Sequence, residues 1–291
     1  VRNALLFVPL LFPALLPQAQ AELTWKDHKD KGQFELLEDG RQALVYNYGP
    51  QLPAGVPEDR RRCCYLHPVN TPAGVTVTDD FPADHYHHRG IFFGWAHVEF
   101  GGKVYDNWML KGIGPRNESV AVKGGKTATL EAMGAWMVDG KPIVREIQNV
   151  RVLPARDGRR RMELSVTLSA IDQPVVLKPV RDTHKSYGGF NARFAPRTET
   201  KIIADAGPVA KDEDLNPRRW VEYEAVYGGK RAALRIEPDP KNPGAPHQWC
   251  LRYYGFAGAA FPGKSDALSS YTLEPGKTLT LRYSMEVIDR P

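Results

Sequence analysis

Short runs rich in Val, Ile, Thr, Tyr and Phe recur along this chain, each closed by a Gly, Pro, Asn or Asp turn, and helical periodicity is nearly absent. Such runs include Phe34 to Leu37, Ala43 to Tyr48, Gly74 to Thr78, Ile91 to Phe100, Met162 to Ala170, Trp220 to Val226, Trp249 to Phe256 and Thr278 to Val287. Between runs stand hairpin signals such as Asp39-Gly40, Asp139-Gly140, Asp157-Gly158 and Gly228-Gly229. Within one run, Met162, Leu164, Val166 and Leu168 alternate with polar residues, so a strand there turns its apolar side to a core. Many strands at short spacing predict an all-β chain, built as a large β-sandwich or a barrel. With no repeat and no low-complexity linker, residues 22–291 are read as one β-sandwich domain.

Residues 1–21 follow a different pattern. Arg2 precedes an apolar stretch from Ala4 to Leu16, and Ala19-Gln20-Ala21 offers a small-x-small cleavage site. This is the layout of a secretory signal peptide, so the mature chain is expected in the periplasm or outside the cell. The apolar stretch is about 13 residues, short of the ~20 that span a bilayer. A lasting membrane anchor is therefore not expected. The net charge of +5 is spread thinly. Its two dense basic runs, Arg60 to Arg62 and Arg159 to Arg161, adjoin turn residues and are read as solvated loops, which argues against a nucleic-acid partner. Neighbouring cysteines sit closer than a disulfide usually requires. Cys63, Cys64 and Cys250 thus allow either one bridge from the pair to Cys250 or three buried thiols.

Four of the eight histidines lie between His67 and His88, three of them in Asp84-His85-Tyr86-His87-His88-Arg89-Gly90. In an extended segment His85 and His87 would face one way and His88 the other. A turn at Asp84 would bring all three together. Asp79, Asp80 and Asp84 add carboxylates, which fix an imidazole's tautomer and raise its basicity. These parts suit acid–base catalysis near neutral pH. They also suit a zinc or copper ion held by His85, His87 and His67, and the cofactor is left open between none and a divalent metal. His28 and His184 are read as solvated.

The stretches His67-Pro-Val-Asn-Thr-Pro-Ala-Gly74 and Asp80-Phe-Pro-Ala-Asp-His-Tyr-His-His-Arg-Gly-Ile-Phe-Phe-Gly-Trp95 resemble a secreted bacterial family that carries the label methane oxygenase PmoA. A second block, with Trp220-Val-Glu-Tyr, His247-Gln-Trp249 and Arg252-Tyr-Tyr-Gly-Phe256, agrees. The label describes a multi-span membrane protein, and this chain has no segment of that kind. The resemblance implies instead a galactose-mutarotase-like supersandwich and a carbohydrate-related role. It places the family's histidine motif on His85, His87, His88 and Arg89, and its late Arg-x-Tyr-Gly motif on Arg252, Tyr254 and Gly255. This chain departs from the family at Asp239-Pro240 and at Ala259 to Gly263, which implies altered substrate choice.

The expected function is an enzyme moving a proton at a sugar or glycoside, by epimerisation, elimination or hydrolysis. His85, His87, His88 and Arg89 are its expected catalytic residues. His67, Asp84, Asn191, Arg193, Glu222, Trp249, Arg252 and Tyr254 are its expected substrate contacts. In the strand read at Tyr187 to Arg193, Asn191 and Arg193 share a face. Glu222 follows Trp220 by two and is a candidate base. The alternatives are a histidine-held metalloenzyme and a glycan-binding module without turnover.

Overall fold

The computed structural model describes residues 22–179, 187–263 and 269–291. The expected signal peptide, 1–21, and His184 lie outside the described residues. Two nine-stranded antiparallel sheets pack face to face, with a four-stranded sheet beside them. In order across the first sheet run Leu23–His28, Gln33–Glu38, Arg41–Asn47, Tyr65–Val69, Ile91–Gly94, Gly189–Arg193, Phe256–Ala260, Gln248–Arg252 and Glu213–Pro217. The second runs Gly207–Val209, Thr198–Ala204, Val221–Tyr227, Lys230–Pro238, Leu279–Asp289, Arg159–Ala170, Lys141–Val152, Ala128–Val138 and Gly114–Lys123. The small sheet holds Tyr271–Leu273, Val175–Lys178, His97–Phe100 and Lys103–Tyr105. This is an all-β sandwich. Among the described residues, no helix is long and apolar enough to cross a membrane.

Alternation decides what each sheet presents. Phe93, Phe190, Ala192, Leu251 and Ala257 of the first sheet meet Leu164, Val166, Leu234 and Leu281 of the second in the main core. Residues one step along the same strands point the other way. There Tyr65, Phe92, Cys250 and Phe256 join Trp108 in a smaller cluster on the outer face of the first sheet. The turns behave as read. Asp39 and Gly40 have φ of 49° and 78°, and Asp139 and Gly140 have 49° and 75°, as two-residue hairpin turns demand.

Several runs divide differently from the sequence reading. Gly74 to Thr78 forms only isolated bridges, Asn70 with Thr76 and Thr78 with Phe194. Ile91 to Phe100 breaks at Trp95 and Ala96, where the chain leaves the first sheet for the small one. Trp249 to Phe256 is a hairpin whose turn carries Tyr253, Tyr254 and Gly255. The basic runs are not simply solvated. Arg160 and Arg62 are 2% and 3% exposed, while Arg159 and Arg161 point to solvent. Alternation along Arg159–Ala170 turns the middle arginine inward, where Glu38 binds it. Arg62 donates to the carbonyls of Phe93, at 2.5 Å, and Asn107, at 2.9 Å. His28, read as solvated, pairs with Glu35 at 2.8 Å. The three cysteines are buried thiols and no disulfide links them.

Candidate functional site

The histidine segment turns rather than extends. The His85 N–H donates to the Pro82 carbonyl at 2.9 Å, and the His88 N–H to the His85 carbonyl at 2.8 Å. These bonds lay the His85 and His88 rings parallel, 4.7 Å apart. Tyr254 stacks on the outer side of His85 at 5.0 Å, and Phe256 on the inner side of His88 at 4.9 Å. The result is a column of four rings running from exposed Tyr254 to buried Phe256. The ring of His87 stands edge-on to His88 at 4.5 Å. Trp108 closes one flank, 5.8 Å from His88, and is itself packed on Tyr187 at 4.7 Å.

Polar groups converge at the open end of this column. The Asp84 carboxylate lies 2.9 Å from His85 Nδ1 and accepts from Arg193 Nη2 at 2.8 and 3.0 Å. Burial would raise its pKa, but the adjacent His85 ring and the bonds from Arg193 together hold it below the usual carboxylate range. Arg193 also lies 5.0 Å from the Tyr254 ring centre and 4.0 Å from Asp79. Its Nε and Nη1 are buried with no hydrogen-bond partner, as are His88 Nδ1 and His85 Nδ1, whose approach to Asp84 is an ion-pair contact rather than an aligned hydrogen bond. His85 Nε2 has no protein partner among the described residues. Buried donors without acceptors are costly, so these atoms are suited to a ligand or to water.

Burial makes His87 and His88 poor bases. It lowers the His87 pKa to about 4 and that of His88 well below its ordinary value, with neighbouring positive charges adding to both effects. Both rings are neutral at pH 7.

The other expected site residues scatter. Arg89 is fully buried behind the turn, and its donors go to the carbonyls of Tyr86 and His88, both at 2.6 Å, and of Arg60. It therefore shapes the loop, with its Nε buried and without a hydrogen-bond partner. Beside it Asp80, hydrogen-bonded by Tyr65 at 2.7 Å, has its pKa raised by burial to about 7. His67 places Nδ1 on Thr78 Oγ1 at 3.0 Å, and its Cβ packs against Gly90. Asn191 does share Arg193's face, but its amide donates to Gly189 at 2.8 Å and its Oδ1 is buried without a partner. Arg252 lies on the same sheet face, yet Asp214 at 2.7 Å and the carbonyl of Glu213 at 2.8 Å occupy its donors. Trp249 points into the main core and donates to the Arg218 carbonyl at 3.0 Å. Glu222 belongs to the second sheet and pairs with Arg290. The proposed trio of metal ligands is not assembled, because among the described residues no three His, Cys, Asp or Glu side chains stand close enough to hold one ion. The sequence reading passed over Phe256 and Tyr187 as ring neighbours; Gly255, at a φ of 110°, signals the turn after Arg252, but no local pattern says which distant loop its rings will meet.

These shifts carry a stability consequence. His67, His87 and His247 are all lowered to about 4 by burial from an ordinary 6.5. Between those values the unfolded chain binds protons that the native chain refuses, so this stabilisation is complete above about pH 6.5 and is lost as pH falls towards 4. For fully buried His247 the loss is on the order of 3 kcal/mol, and for half-buried His67 it is smaller. Asp80 acts in the opposite sense, since its native form keeps a proton from about pH 4 to 7 that the unfolded form releases. Asp79 and Glu146, also raised by burial, oppose the histidines too. The histidines outweigh them, while Asp84, lowered from its ordinary 3.8, contributes its loss only below that pH. Calorimetry is expected to show the melting temperature falling steadily from pH 7 to pH 4.5, and a flat profile would contradict these burial assignments.

Residues 33–291 match a family described as Family of unknown function (DUF6807). No curated protein matches the chain in sequence. Solved structures similar to it include a putative aldose 1-epimerase from Escherichia coli K12, at 11% identity and TM-score 0.38, over 92% of this chain and 99% of that one. Another is a GH36 alpha-galactosidase from Geobacillus stearothermophilus, solved in complex with raffinose, at 9% identity and TM-score 0.44. That match spans 94% of this chain but 40% of the enzyme.

Proposed function

The chain belongs to the Family of unknown function (DUF6807), and from the chemistry of its site we propose that it moves a proton on a sugar or glycoside, with His85 as the acid–base group. The observation that carries this reading is the Asp84–His85 pair at the open end of the ring column, beside buried Arg193 nitrogens that lack acceptors. The Asp84 carboxylate lies 2.9 Å from Nδ1 of His85 and leaves Nε2 to face a substrate, and a carboxylate beside one imidazole nitrogen favours a fixed tautomer and ring orientation. Arg193 anchors Asp84 through Nη2, and its Nε and Nη1 can bind a hydroxyl or a developing oxyanion. Tyr254, 41% exposed, offers an aromatic surface to the C–H face of a sugar ring.

A second reading is saccharide binding without turnover. It is favoured by a trough of about 1030 Å³ across the outer face of the second sheet, remote from the histidines. Arginines and carboxylates alternate there across the strands, with Arg151 opposite Glu163 and Glu286 opposite both Arg161 and Arg235. Such a floor offers donors and acceptors in balance, which suits an uncharged polyhydroxylated ligand better than a polyanion.

The test is to incubate the full chain with neutral sugars and glycosides and follow anomer exchange by NMR, unsaturated products by ultraviolet absorbance, and reducing-end release. Turnover by the wild type that disappears in His85→Gln supports the first reading. Binding without turnover, abolished by Arg151→Ala with Arg235→Ala, supports the second. Turnover indifferent to His85→Gln overturns the assignment of His85.

A further inference from the structure

Adjacent cysteines ordinarily turn away from one another, because alternation sends successive side chains to opposite faces. Cys63 and Cys64 do not. Cys64 has a φ of 66°, a left-handed conformation rare for a residue with a side chain, and this places its thiol beside that of Cys63. The two Sγ atoms are 3.2 Å apart. The backbone around them is held from several sides. The Cys64 N–H donates to the Asn47 carbonyl at 2.7 Å, Gln148 Nε2 donates to the Cys64 carbonyl at 3.2 Å, and the Cys63 thiol faces the Pro115 carbonyl at 3.4 Å. The conformational entropy of bringing two thiols together has therefore already been lost on folding.

We propose that Cys63 and Cys64 are a peroxide-sensitive dithiol that closes to a vicinal disulfide, with Cys250 taking no part. The oxidant class is a small hydroperoxide, hydrogen peroxide itself being the simplest. Cys63 is the first to react. The hydrogen bond from Cys64 outweighs burial and holds the Cys63 thiol below its ordinary pKa, whereas that bond and burial both push Cys64 up. The Cys63 thiolate attacks one peroxide oxygen, the O–O bond breaks, and Cys63 becomes a sulfenic acid with hydroxide leaving. Cys64 sulfur then attacks Cys63 Sγ. The S–S bond forms, the Cys63 S–O bond breaks, and the departing hydroxide takes the Cys64 proton as water. Two thiols are oxidised by two electrons and one peroxide is reduced to two waters.

Size selects the oxidant. Cys63 and Cys64 are 3% and 7% exposed, which disfavours a bulky disulfide as the oxidant and leaves a small hydroperoxide as the better match. A ring between neighbours is strained, because their Cα atoms are only about 3.8 Å apart and unstrained disulfides prefer more, so the bond is readily reduced again. Cys250 lies instead in the outer cluster with Phe92, Trp108 and Phe256. The neighbouring Arg62 side chain, through its bond to the Asn107 carbonyl, links the dithiol to the wall that Trp108 makes beside His88.

The test treats the full native chain with hydrogen peroxide, alkylates remaining thiols, and maps peptides by mass spectrometry. The expected result is a Cys63–Cys64 peptide about 2 Da lighter than its unalkylated reduced form, restored by dithiothreitol. Cys250→Ser should behave identically. In Cys64→Ser the same treatment should leave Cys63 carrying oxygen, since no resolving thiol remains. The proposal is overturned if wild-type Cys63 or Cys64 gains oxygen without ring closure, if either is joined to the Cys250 peptide, or if both stay alkylatable after prolonged exposure.

Discussion

Arg160→Met is expected to lower the free energy of unfolding by about 3–5 kcal/mol, the largest stability effect anticipated for a single polar side chain here. Arg160 Nε and Nη2 donate to Glu38 Oε2 at 3.0 and 2.6 Å, and Nη1 donates to the Asn70 carbonyl at 2.7 Å. Glu38 Oε1 accepts from the Ala155 N–H at 2.6 Å. The pair joins the strand Gln33–Glu38 of the first sheet to Arg159–Ala170 of the second, so it fastens the two halves of the sandwich. Removing the cation leaves a carboxylate buried without a counter-charge, and that penalty sets the size of the effect. Glu38→Met added to Arg160→Met should recover most of the loss, because the stranded charge is gone. Urea unfolding of the two variants measures both values. If Arg160→Met changes stability by less than about 1 kcal/mol, water reaches Glu38 and the pair behaves like a surface bridge.

His85→Gln is expected to reduce kcat on a turned-over sugar by about 10²- to 10⁴-fold with little change in KM, the usual contribution of a placed acid–base group. Fold should survive, since the His85 side chain is a third exposed and shapes the loop through its backbone rather than its ring. Asp84→Asn should have a smaller effect on kcat than His85→Gln, because it removes only the carboxylate that positions the ring beside Nδ1. Steady-state kinetics from pH 5 to 9 separates the two roles. A His85→Gln enzyme within about threefold of wild type would remove His85 from the chemistry. An unchanged kcat in Asp84→Asn would reduce Asp84 to a structural anchor for Arg193.

Local chemistry was legible where neighbours in the chain are neighbours in space. Asp39-Gly40 and Asp139-Gly140 announce hairpins because few residue types tolerate positive φ at both turn positions. The alternation of Met162, Leu164, Val166 and Leu168 marks a strand with one face in the core, and all four are buried. The density of imidazoles and carboxylates from Asp79 to His88 marks a place where protons can be handled. Periodicity fails where a strand changes partner. Ile91 to Phe100 has one continuous β signature but serves two sheets, because side-chain polarity does not say which strand lies alongside. Charge fails in the same way, since a run of three arginines reads as solvated until a distant Glu38 is known to wait beneath the middle one.

What the amino-acid order determined by itself was therefore an all-β chain with a histidine-rich turn. Only the tertiary structure decided which residues serve that turn. Arg193, 109 positions beyond Asp84, meets it because Gly189–Arg193 pairs with Ile91–Gly94 on one side and Phe256–Ala260 on the other. That same pairing brings the hairpin carrying Tyr254 against His85 and leaves Trp249 and Glu222 facing elsewhere. Hydrogen-bonded register between strands far apart in sequence selects the neighbours of each side chain, and no local pattern encodes that register.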